Sequence, residues 1–282
     1  MDDLKNKGII PIIGGGLGNQ LFQVCAAYCA SIYNKCPLYI LDIKVSKNTH
    51  NIFNNNYNKN IFKYFKNNVD ILETDELIHE LIKMGYTYHR SYGMEYSAPY
   101  NISEIQPGTL IKHYYQYYPA IEPYENEIRT ILLKGLEDIR NNIKCANNIC
   151  ENSIFIHIRR GDYVNSQGHY LQPIEYYENA YMMLKSLVNI QQVYIVSDDI
   201  EYVMNQEFFN SLENKTFWKN PDEIETLALM SLCTGGAICA NSSFSWWGAF
   251  MGAYSIKSPI IMPKKYFINE PISLFPKEWI II

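Results

Sequence analysis

What most constrains the folding of this 282-residue chain is a unit that recurs three times in its second half: an apolar run, a polar cluster at its end, then a helical stretch. Residues 153–158 lead into Arg159, Arg160, Gly161 and Asp162; residues 193–196 into Ser197, Asp198 and Asp199; residues 237–240 into Asn241, Ser242 and Ser243. Helices are expected over 173–187, with Pro173 early and Glu175 in the first turn, and over 223–233. Strands alternating with helices imply a parallel sheet with right-handed crossovers. In such sheets ligands bind beyond the carboxyl ends of the strands. All three polar clusters fall at that edge.

The first half opens with a related unit. Residues 8–13 are apolar, 14–18 form a glycine-rich loop, and 19–33 have helical spacing, with Leu21, Cys25, Tyr28 and Ile32 on one face. A second strand is expected over 37–41, ending at Asp42, followed by an Asn-rich loop over 48–60. Further on the pattern predicts a helix over 74–84, strands near 86–92 and 110–115, and a helix from 124 to 143. The polar stretch 141–153 marks a domain boundary, dividing the chain into 1–148 and 149–282.

A hydrophobic content of 48% supports ordered cores, and a net charge of -5 argues against a nucleic-acid partner. Met1 to Lys7 carries no apolar core of a secretory signal, and no apolar run is long enough to span a bilayer. The seven cysteines are odd in number and lack any CxxC pair. Together these features predict a soluble cytoplasmic protein with buried free thiols and no metal site.

The run Phe155 to Tyr163 carries the most chemistry. Strand alternation places His157 and Arg159 on one face with Phe155, opposite Ile156 and Ile158. Two arginines leaving a buried strand are costly unless they meet an anion, and their planar, permanently charged donors suit a diphosphate. The structural alternative is a salt bridge from one arginine to Asp162. Both can hold, with Asp162 orienting an arginine. The loop Gly14-Gly15-Gly16-Leu17-Gly18-Asn19-Gln20 allows close backbone approach to a ligand at a helix start. It is neither GxGxxG nor a Walker loop, and a tight strand-to-helix turn explains it equally well. Asp42 reads as a strand-end residue. Ser242 and Ser243 either cap the helix that follows or hold phosphate at its start, with Phe244 beside them; Trp246 and Trp247 read as core. Ser197 and Asp198 serve a base or ribose, or cap the next helix.

Four of these stretches together resemble the α-1,2-fucosyltransferase family, glycosyltransferase family 11. They are Gly15 to Gln23, His157 to Tyr163, Val196 to Asp199, and Ala240 to Ala249, with fainter echoes at Leu41-Asp42, Tyr114-Tyr115-Gln116, Tyr170 to Pro173 and Tyr176-Tyr177. The similarity runs in order over residues 10–253. It implies a GT-B-like α/β architecture, two Rossmann-like domains facing across a cleft. The N-terminal domain would take the acceptor and the C-terminal domain the donor. It implies inverting transfer from GDP-β-L-fucose to a hydroxyl of a galactose-containing glycan, without metal or other cofactor. Arg160 would hold the donor β-phosphate, with Arg159, His157, Ser197 and Asp198 around the nucleotide. Asn241, Ser242, Ser243 and Phe244 would lie beside it. Gly16 and Gly18 would bind the donor, and Asn19, on the same glycine-rich loop across the cleft, would face its sugar end. The chain departs from the family pattern at Thr226 and at Thr234-Gly235-Gly236, near where guanine is read. Transfer of a different GDP-deoxyhexose, another linkage, and a non-catalytic binding module are therefore the competing readings. An acceptor hydroxyl must lose its proton as the bond forms. Asp162 is nearest in sequence, but an ion pair with arginine favours its charged form and makes it a poor base. A base from the N-terminal half, or the departing phosphate, is the alternative.

Overall fold

The computed structural model describes residues 6–40, 61–65, 74–89, 99–147, 149–266 and 275–282. Leu41, Asp42, the Asn-rich stretch 48–60 and the end of the strand expected over 86–92 lie outside these. The chain divides into two compact units, Met1–Gly135 and Leu136–Ile282.

In the first unit, β1 (Ile9–Pro11), β2 (Thr87–His89) and β3 (Thr109–Ile111) form a parallel sheet in the order β1-β3-β2. The strand expected over 37–41 is reduced to a bridge between Ile9 and Leu38. Gly8 admits this segment, because a Cβ there would stand 2.4 Å from the Pro37 carbonyl. Between β1 and β2 lie α1 (Leu17–Asn34) and α2 (Thr74–Lys83). From Leu17 to Ser31 every residue of α1 except Asn19 is buried. A helix expected to bury one face is therefore buried all round, as its Ala26, Ala27 and Ala30 permit. It ends at Lys35 in the left-handed region, whose N–H and that of Cys36 reach the Ile32 and Ser31 carbonyls.

The helix expected over 124–143 is two: α4 (Glu125–Gly135), which follows the short α3 (Tyr118–Ile121), and α5 (Glu137–Asn147). Glycine is among the weakest helix formers, and the break falls at Leu136, directly after Gly135. α5 belongs to the second unit, where Arg140 donates to the Ser231 carbonyl at 2.9 Å, whereas the expected boundary lay after residue 148.

The second unit carries a six-stranded parallel sheet in the order β6-β5-β4-β7-β8-β9. Its strands are β4 (Ser153–Ile158), β5 (Gln192–Ser197), β6 (Lys215–Trp218), β7 (Gly236–Ile238), β8 (Ile260–Met262) and β9 (Ile280–Ile281). The chain winds outward from β4 to β6, returns to the other side of β4 at β7, and winds outward again. That reversal is a topological switch point, located between β4 and β7. Helix α6 (Ile174–Leu187) and the short α7 (Ile200–Met204) and α8 (Glu207–Ser211) cover one face, packing Tyr176, Ala180, Val203 and Phe209 on Ile154, Ile156 and Ile195. Helices α9 (Glu223–Leu232) and α10 (Ser243–Met251) pack against each other, and α10 carries an aromatic cluster in which Trp246 stacks on Phe250. Trp246 and Trp247 are core residues, and the free thiols of Cys25, Cys29, Cys233 and Cys239 are buried. No helix among the described residues is long and apolar enough to cross a membrane.

The α9–α10 contact depends on Gly248, where a Cβ would meet the Met230 side chain at 2.8 Å. Overpacking of this kind costs about 1–3 kcal/mol. Gly248→Ala should therefore lower the thermal midpoint by several degrees, roughly 2–4 °C per kcal/mol for a domain of this size, measured by calorimetry.

Candidate active site

The parallel register sets the carboxyl ends of β5, β4 and β7 side by side, so their three polar clusters meet at one edge. β4 is buried along its whole length, and Arg159 and Arg160 emerge directly from it. Arg159 is engaged at both ends of its fork. Its Nη1 meets Asp198 Oδ2 at 2.7 Å and its Nη2 meets Asp162 Oδ1 at 2.6 Å. Burial opposes its charge, but Asp198 and then Asp162 outweigh burial and raise its pKa. The expected pairing of Asp162 with an arginine is thus present, and its partner is Arg159.

Arg160 is held differently. Its backbone N–H donates to Asp198 Oδ1 at 2.9 Å, and its Nε donates to Asp199 Oδ2 at 3.0 Å. The guanidinium lies 3.3 Å above the centre of the Tyr202 ring. Its terminal Nη groups have no hydrogen-bond partner among the described residues. Asp198 thus serves both arginines, one through each oxygen. Gly161 makes this possible, since a Cβ there would stand 2.5 Å from Asp198 Oδ2.

His157 is 4% exposed and bonds through Nδ1 to Ser245 Oγ, which also accepts the Ala240 N–H at 3.1 Å. Burial, then Arg159, hold its pKa down at about 3. The Phe244 ring stands edge-on to it at 5.8 Å. Ser242 is the N-cap of α10, accepting from the Phe244 N–H at 3.3 Å, and Ser243 begins the helix. Asn241 is fully buried. Its Nδ2 donates to the Tyr170 and Tyr266 carbonyls at 2.7 and 2.8 Å, while its backbone carbonyl accepts from the Tyr163 hydroxyl. Its Nδ2 therefore fixes the loops around the site, while its buried Oδ1 has no hydrogen-bond partner among the described residues. Ser197 Oγ accepts from the Asp199 N–H, and Asp199 Oδ1 caps α7 through the Tyr202 N–H.

In the first unit, the glycine-rich loop ends at Gly16, the N-cap of α1, which has no side-chain cap. Gly18 is buried in the first turn. Asn19 accepts from Gln116 Nε2 at 2.6 Å and its own Nδ2 lies over Gly15, whose φ of 79° and missing Cβ make room for it. Gln20 and Gln23 hold the loop backbone at the Gly15 carbonyl and the Gly14 N–H.

The family model described as Glycosyl transferase family 11 matches residues 106–282. An α-1,2-colitosyltransferase of Escherichia coli is 30% identical over 96% of this chain and 98% of its own length. The chain belongs to glycosyl transferase family 11. A second E. coli relative, the O-antigen biosynthesis glycosyltransferase WbnK, is 28% identical over 95% of this chain and 98% of its own. Among solved structures the fucosyltransferase NodZ from Bradyrhizobium shares the fold, with a TM-score of 0.54 at 10% identity over 88% of this chain and 94% of that one. The expected α/β, GT-B-like fold is that of this family 11 glycosyltransferase.

Two residues that contact these clusters were not singled out from sequence. Tyr202 sits three residues after Asp199, the spacing at which an N-cap meets the helix it caps. Ser245 follows Ser242 by the same interval. In each case the capping pattern was legible, but the arginine or histidine sharing that residue comes from β4.

A buried histidine held near 3 titrates outside the neutral range. Its ordinary value is 6.5, so below 6.5 the unfolded chain binds a proton that the folded chain refuses until about 3. The stability this contributes is present at neutral pH and is lost as pH falls from 6.5 toward 3. NMR should show the His157 ring carbons neutral and invariant from pH 5 to 8. A titration within that window would contradict the buried geometry.

Proposed function

We propose that this family 11 enzyme transfers L-fucose from GDP-β-L-fucose to O2 of a galactoside with inversion and without a metal ion. The observation that carries this reading is the contrast between the two arginines. Arg159 spends both Nη groups on carboxylates, whereas Arg160 is fixed by its Nε edge and keeps its Nη edge for an anion. NodZ, which shares the fold, has been crystallised with GDP, and a GDP-linked donor suits a single preset guanidinium.

In this mechanism the acceptor oxygen attacks the anomeric carbon as the bond from that carbon to the β-phosphate oxygen breaks. GDP departs carrying one further negative charge, which Arg160 meets with donors already in place. The acceptor proton passes to a base or to the departing phosphate. Asp162, bound to Arg159, serves to frame the arginines. The similarity to the α-1,2-colitosyltransferase favours a second reading, in which colitose, a dideoxyhexose, takes the place of fucose.

Product mass and GDP release should be measured with GDP-fucose and a panel of β-galactosides, with and without EDTA. The expected result is an acceptor-dependent gain of one deoxyhexose that EDTA leaves unchanged. Arg160→Ala should lower turnover by about 100-fold or more, the order seen when one preset donor to a developing charge is removed. Normal turnover in that variant would remove Arg160 from the phosphate.

A further inference from the structure

Arg160 leaves β4 where the strand ends, so its backbone does not dictate where the long side chain points. A free arginine side chain carries about 2 kcal/mol of rotamer entropy, which must be lost before its fork can meet a phosphate in one geometry. In this fold that loss is made in advance. Asp199 Oδ2 takes the Nε hydrogen at 3.0 Å, and the Tyr202 ring supports the guanidinium plane from 3.3 Å. Asp199 is itself fixed, since its Oδ1 accepts the Tyr202 N–H at 3.3 Å and its own N–H donates to Ser197 Oγ at 3.0 Å. The plane of the guanidinium and one of its edges are thus set by two residues of a single helical turn, leaving the opposite edge for a ligand.

We propose that Asp199 and Tyr202 are positioning residues that aim the Nη edge of Arg160 at the diphosphate of the sugar nucleotide. This rests on the phosphate role of Arg160 proposed above. It differs from two simpler accounts. If Asp199 only caps α7, replacement by Asn should be silent, because Asn caps helices as well as Asp does. If Asp199 is only a rival anion, removing its charge should tighten the binding of a diphosphate, since three carboxylates here face two guanidinium groups. Positioning predicts the opposite sign.

The test is calorimetric titration of the full chain with GDP for the wild type and for Arg160→Ala, Asp199→Asn, Tyr202→Leu and Tyr202→Phe, with thermal midpoints to confirm folding. Asp199→Asn and Tyr202→Leu should each weaken GDP binding about tenfold, the order expected when a charged group loses a partner. They should also raise the KM for the sugar nucleotide more than they lower kcat. Tyr202→Phe keeps the ring and should lose less than about threefold, as stacking rather than the hydroxyl supports the guanidinium. Asp199→Asn in an Arg160→Ala background should add nothing, because the effect runs through the arginine. Unchanged or tighter GDP binding by Asp199→Asn, with Arg160→Ala weak, overturns the positioning role alone; so does a full Asp199→Asn effect in the Arg160→Ala background. Wild-type GDP binding by Arg160→Ala overturns the phosphate assignment and the positioning role with it.

Discussion

Two guanidinium groups emerging from the end of a fully buried strand need compensating charge, and the arrangement of the second unit follows from how that charge is supplied. The carboxylates come from two places: Asp162, three residues along the chain from Arg159, and Asp198 with Asp199 at the end of the neighbouring strand. The second source exists only because β4 and β5 are parallel and in register, with Ile158 beside Ser197. An ion pair half-withdrawn from water adds little net stability, yet removing one partner leaves a charge that the site solvates poorly. Its value here is geometric. One carboxylate, Asp198, binds Arg159 through one oxygen and the Arg160 backbone N–H through the other, tying the Arg159 guanidinium to the turn that carries Arg160.

Close approach is the second requirement, and glycine supplies it in both units. Asp198 reaches the turn after β4 only because residue 161 has no Cβ, and Asn19 lies over Gly15 for the same reason. The glycines of the first loop had two readings, a ligand contact or a tight turn. Gly15 adopts a left-handed φ and carries the Asn19 amide above it, and Gly16 is the helix N-cap. The turn and the placement of a polar side chain are therefore one feature.

Helix caps are shared in the same way. Ser242 caps α10 as its position suggested, yet Ser245 one turn further holds His157. Asp199 caps α7 with one oxygen and holds Arg160 with the other. Capping was visible along the chain because it is local, spanning three residues. The second contact of Asp199 crosses from the end of β5 to Arg160, just past β4, and that of Ser245 runs from α10 to β4; neither left a trace in the spacing. Asn241 adds a structural contact to its place in the motif, since both its Nδ2 hydrogens are taken by the carbonyls of Tyr170 and Tyr266.

The sequence by itself determined the alternation of strands and helices, the buried character of β4, the cluster at each strand end and the family. All of these rest on local periodicity or on contiguous residues. It determined less where the signal was short or the partner distant: the segment near Leu38 keeps one bridge, and one long helix is two, broken just after Gly135. Tertiary structure alone decided which arginine is consumed and which keeps its Nη edge, because that depends on which carboxylates the parallel register brings alongside each guanidinium. Arg159 and Arg160 are adjacent and chemically identical in the sequence. Asp162 takes one Nη of Arg159 locally, and the neighbouring strand, reached 38 residues later at Asp198, supplies the carboxylates that complete the difference.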